Sequence, residues 1–132
     1  MTTMLEALGE RLQTDGIGTL GTDLFLSLMP ESPDACVALF EYGGQAPALT
    51  MGSGLYAINR PRVQVKVRSL REDYPAAFTK AVACRDSLSG ITNVSLSGVA
   101  FARVSPTTSV NPIGLDANDR QQMSVNFEVW LL

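Results

Sequence analysis

The stretch Arg62-Val63-Gln64-Val65-Lys66-Val67-Arg68 constrains the fold more than any other part of the chain. Valine holds every second position, and polar or cationic side chains hold the rest. Successive side chains of a strand point to opposite faces, so this period of two buries one face and wets the other. The β-branched valines favour the same extended backbone. Pro61 suits the first strand position, where a missing N–H is tolerated. The pattern recurs near the end of the chain, where Met123, Val125, Phe127, Val129 and Leu131 alternate with Ser124, Asn126, Glu128 and Trp130. Half-buried strands of this kind need an apolar layer to cover them.

Two helical segments can supply that layer. Thr3-Met4-Leu5-Glu6 has the form of a capping box, and Leu5, Leu8 and Leu12 then share one face up to a stop at Gly16. Gly9 inside this helix costs about 1 kcal/mol against alanine, unless a neighbouring element needs the space. Asp73 predicts the N-cap of a second helix, with Pro75 in its first turn and Gly90 just past its end. Its expected buried stripe is Tyr74, Ala77, Phe78, Ala81, Cys84 and Leu88.

Asp23–Leu28, Cys36–Tyr42, Asn93–Leu96 and Val99–Val104 read as further strands. A two-proline turn over Met29–Asp34 separates the first pair, and Gly98 marks a bend between the second. Gly43–Gly54, which carries no charge, and Pro106–Gln121 read as long loops that become ordered on assembly. The order α-β-β-β-α-β-β, with room for one more strand, indicates an α+β fold. Its sheet is mainly antiparallel, with two helices packed on one face, and a single domain is expected over residues 1–132.

Composition narrows the function. The chain of 132 residues has no histidine, which removes histidine triads, histidine bases and histidine metal ligands. Cys36 and Cys84 match no zinc spacing and read as buried thiols. Lys and Arg number 10 against 13 Asp and Glu, a net charge of −3, whereas proteins that grip nucleic acid are usually basic. No apolar run is long enough to span a membrane, and Glu6 and Glu10 make the first residues a poor signal peptide.

Gly16-Ile17-Gly18-Thr19-Leu20-Gly21 matches a nucleotide-binding pattern in letters, but it follows a helix where the fingerprint follows a strand. Asp116-Ala117-Asn118-Asp119 hints at a calcium loop, yet Arg120 and Gln121 stand where a further ligand and a glycine are required. A polar hairpin turn is the alternative. No catalytic constellation, cofactor motif or metal cluster emerges.

The candidate functional residues are Arg60, Arg62, Lys66, Arg68 and Trp130. Together with Arg71, the four cations hold half of the chain's positive charge. Three readings fit them: a solvated face paired with carboxylates such as Glu128, a protein–protein contact, or a nucleic-acid face. Trp130 either covers a helix or anchors an interface.

Several blocks resemble a family of small bacteriophage proteins, the tail terminators or minor capsid proteins of long-tailed phages. They are Met4–Leu8, Gly16–Thr19, Val37–Gly44, Arg60–Arg68, Gly90–Val94 and Ser124–Trp130, in that order. The resemblance implies a non-enzymatic virion protein with no cofactor. It implies a homohexameric ring that caps the tail tube and meets both the tube protein and the head connector or stopper. Genome DNA would pass through its lumen without specific binding, and no membrane is involved. It further implies host cytoplasm during assembly and the head–tail junction afterwards. A neck adaptor ring and a small-molecule-binding α+β domain are the alternatives.

Overall fold

The computed structural model describes residues 2–49 and 56–131, with backbone alone for 44–49 and 56–59. In chain order the elements are α1 (Met4–Thr14), β1 (Leu24–Leu26), β2 (Cys36–Leu49), β3 (Tyr56–Ser69), α2 (Tyr74–Ser89), β4 (Thr92–Leu96), β5 (Val99–Pro106), β6 (Asn111–Leu115) and β7 (Gln121–Leu131). This is the expected α+β arrangement, with four strands after α2.

The strands form one sheet in the order β1-β2-β3-β7-β5-β4, with β6 also paired to β7. β1 runs parallel to β2, and the other pairings are antiparallel. β3 lies at the centre, where Val63, Val65 and Val67 meet Phe127, Val125 and Met123 of β7 in register. All six are buried; α2 packs over β3 and β7, and α1 packs beside it over β1 and β2.

Helix α1 begins as its sequence dictates. The Thr3 hydroxyl accepts from the Glu6 N–H, Leu5, Leu8 and Leu12 are buried, and Gly16 follows the C-cap at φ +79°. Gly9 sits where a Cβ would come within 3.1 Å of Leu20 and Leu26 side chains. A close approach of the segment leading into β1 therefore accounts for a glycine in mid-helix.

Helix α2 departs from its expected stripe. Ala77, Ala81, Cys84, Ser87 and Leu88 are buried, but Tyr74 and Phe78 are exposed and stack on each other at 6.1 Å between centroids. The buried side chains are mostly small, so this helix lies close to the sheet and the aromatics of its first two turns fall on the shoulder. Gly90, expected just past the end of the helix, is its C-cap, in a right-handed conformation at φ −78°.

Three further expectations are corrected. The strand expected to reach Leu28 ends at Leu26, because Ser27 turns the chain at φ 62° and leaves Leu28 exposed. The expected loop from Gly43 is strand as far as Leu49, since β2 continues alongside Tyr56–Arg62 of β3 through register shifts. Residues 50–55 of that loop lie outside the described residues. The expected loop Pro106–Gln121 contains β6, which continues the edge that β5 begins along β7. Pro106 pairs Phe127 and Asn111 pairs Ser124, so two extra residues bulge between them. The Thr107 N–H and the Thr108 hydroxyl bond the Asn126 backbone and keep the ladder continuous there.

Candidate subunit interface

The helices cover one face of the sheet. Arg62, Gln64, Lys66 and Arg68 of β3 project from the other, alternating with the buried valines. The two ends of this second face differ.

At the Arg68 end, the chain between β1 and β2 crosses over the sheet. Arg68 is 3% exposed, and its guanidinium donates to three backbone carbonyls of that crossover: Asp34 at 2.8 Å, Pro30 at 2.5 Å and Pro33 at 2.7 Å. Arg120, at the start of β7, grips the same segment. It donates to the Glu31 carbonyl at 2.7 Å and pairs with Asp34 at 3.3 Å, Glu31 at 3.2 Å and Asp116 at 2.8 Å. Asp116 in turn accepts from the backbone N–H groups of Arg120 and Asn118, which closes the β6–β7 hairpin turn. The Arg120 N–H, the Asn118 N–H and then the Arg120 guanidinium hold the Asp116 carboxyl below the usual carboxylate range. The hinted calcium loop is therefore a hairpin turn whose carboxylate is already engaged.

Toward the other end, no loop among the described residues bonds to the face. Arg60 lies over the Trp130 ring, 4.6 Å from its centroid, and Lys66 lies 5.9 Å from that of Phe40. Arg62 stands opposite Glu128 in register, with Tyr42 on its other side. Arg103 of β5 faces Trp130 across the β5–β7 ladder. Among the described residues neither Arg62 nor Lys66 has an ion-pair partner. Arg62 Nε and Asn126 Oδ1 are buried without a hydrogen-bond partner among the described residues.

Four of the five sequence candidates thus come together: Arg60, Arg62, Lys66 and Trp130. Arg68 does not join them, because it is sealed inside the subunit. Trp130 lies under Arg60 on the helix-free face, so it covers no helix. Sequence reading missed Arg103, although it falls at an alternating position of β5 and the strand pattern could have flagged it. It also missed Arg120 and the crossover it grips, for which no local signal exists.

The cleft lined by Asp23, Cys36, Arg68 and Lys80 has a volume of about 100 Å³, small against the hundreds of Å³ of a typical ligand site. Lys80 already donates across it to the Ile17 carbonyl at 2.8 Å. Burial pushes the Cys36 thiol up, and the Cys84 thiol up to about 12. Neither is a poised nucleophile.

A two-helix α+β domain with an open cationic–aromatic sheet face and, among the described residues, no assembled reactive groups suits an assembly protein. Residues 11–131 match the family described as bacteriophage tail terminator protein. The chain belongs to that family: it is a phage tail structural protein, a component of the virion without an enzymatic role. No curated protein matches it. A chain from the solved virion of a native gene transfer agent particle superposes with a TM-score of 0.68 at 15% identity, covering 97% of this chain and 93% of that one. At that identity the likeness establishes the fold.

Proposed function

We propose that the chain acts as one domain and assembles into a homohexameric ring that caps the tail tube and joins it to the head connector. The family match over residues 11–131 carries the reading. The open sheet face supports it, because Trp, Tyr and Arg are enriched in protein interfaces and Arg60, Arg62, Tyr42 and Trp130 lie together there. Arg60, Arg62, Lys66 and Trp130 are assigned to the contact between subunits or with the tube. A net charge of −3 suits a ring that lets DNA slide, since an acidic lumen repels phosphates.

The test is removal of the gene followed by imaging of tails. Overlong or unjoined tails, restored by supplying the protein, are expected, together with a sixfold density for this chain at the head-proximal end of the tube. Twelvefold density on the head side would establish a neck adaptor instead. Tails of normal length that join heads without the protein would refute the capping role.

A further inference from the structure

We infer that the open half of the helix-free face docks the acidic end of a second copy of this chain, so that subunits join head to tail. This rests on the ring reading above and names the surfaces that build the ring.

The two ends of the subunit carry opposite charge. Arg60, Arg62, Lys66 and Arg103 lie on the open half with Glu128. The other end gathers Glu31, Asp34, Asp116 and Asp119 with Glu72 nearby. Contacts tie this end together: Asn118 Nδ2 donates to Glu31 at 2.7 Å, and Arg71 reaches Asp119 at 3.9 Å. Arg68, Arg71 and Arg120 offset part of this charge, Arg120 by pairing with Glu31, Asp34 and Asp116 and Arg71 by pairing with Asp119, but the five carboxylates outnumber the three cations. The side chains of Glu31, Asp34 and Asp119 are 81%, 57% and 62% exposed.

A closed ring needs a heterologous contact, in which two different patches of one subunit meet those of its neighbours. Neither end suits a symmetric contact with itself, because cations would face cations and carboxylates would face carboxylates. Each end suits the other. The open half also offers what an acidic partner completes. Arg60 and Lys66 lie over aromatic rings, and neither Arg62 nor Lys66 has an ion-pair partner among the described residues. Charge complementarity of this kind fixes the orientation of docking.

The experiment uses two full-length double variants, Lys66→Glu/Arg103→Glu and Glu31→Lys/Glu72→Lys, each checked for folding by melting. Reversing two charge pairs should weaken each subunit contact about tenfold. Each variant alone should therefore fail to form rings or cap tails. Co-expressed, the two should assemble into mixed rings, because the acidified face of one meets a basic end on the other. The neutral pairs Lys66→Gln/Arg103→Gln and Glu31→Gln/Glu72→Gln should lose less, in the same direction. They serve if a reversal unfolds the subunit.

Normal rings from either reversed variant would overturn the inference, as would failure of the mixture to recover assembly. So would variants that form rings but no longer engage the tube, since the face would then belong to the tube protein. In each of these outcomes wild-type rings on tails leave the capping role standing. Wild-type tails without a ring of this chain would remove both.

Discussion

Lys66 and Arg68 are two residues apart on one strand face, and their circumstances are opposite. Lys66 sits over Phe40 with no ion pair among the described residues, whereas Arg68 is sealed by three backbone carbonyls. The strand pattern treats them alike. What separates them is a crossover segment more than thirty residues earlier in the chain, which lands on one end of the face and leaves the other open. Period decides which way a side chain points, and topology decides what it meets there.

The largest effect expected from this contrast is on stability. Arg68→Ala removes three charge-assisted bonds from a buried position and should cost about 3 kcal/mol in urea unfolding, less than their sum because water reaches some freed carbonyls. A cost near zero would mean that the crossover holds without Arg68.

Cys36 gives a second readout. It pairs directly with Arg68 in register, is 3% exposed, and has its thiol raised by burial. Thiol reagents should label it slowly in the native protein and at least about tenfold faster in Arg68→Ala, where local opening is easier. Cys84, fully buried on the inner face of α2, should stay protected in both and serves as the control. Equal labelling of Cys36 in the two proteins would show that Arg68 does not hold that end shut.

Acid probes the same end through Arg120. The Asp116 carboxyl titrates below its ordinary value in the folded chain, so its stabilising effect is present above the unfolded carboxylate range. That stabilisation is lost as pH falls below about 4 and through the lowered folded pKa. Melting temperature should therefore drop in that window, and Asp116→Asn should flatten the drop while lowering stability at neutral pH. An unchanged acid profile would mean that Asp116 does not anchor the turn.

How legible the molecule was in its sequence follows the same division. Capping at Thr3 and Asp73, the stop at Gly16 and the alternation of Val63–Val67 are local, and each was readable. Tyr74 and Phe78 were misplaced because helical spacing identifies a stripe but does not say how wide the covered part is. β6 was hidden because Asn111-Pro112-Ile113-Gly114-Leu115 has neither alternation nor strand composition, and it pairs only because β7 offers a free edge. Of the candidate site, the cationic strand and Trp130 were visible. Arg103 and Arg120 join the two ends of this face only through tertiary pairing. The family resemblance rested on the order of weak blocks, and the match over residues 11–131 bears it out.

The smallest expected effect is at Lys66, and it tests the contrast most directly. A half-buried cation with no ion pair among the described residues contributes little to the stability of the subunit that carries it, so Lys66→Ala should change unfolding free energy by less than about 0.5 kcal/mol. Its contact with the Phe40 ring, at 5.9 Å, lies near the limit of useful cation–π attraction, which keeps any loss small. A loss approaching that of Arg68→Ala would mean that the open half serves the subunit's own fold as much as the closed half does. A neutral result in urea, combined with weaker assembly that is further sensitive to salt, would place the role of Lys66 between subunits, because only an exposed intersubunit charge pair is screened in that way.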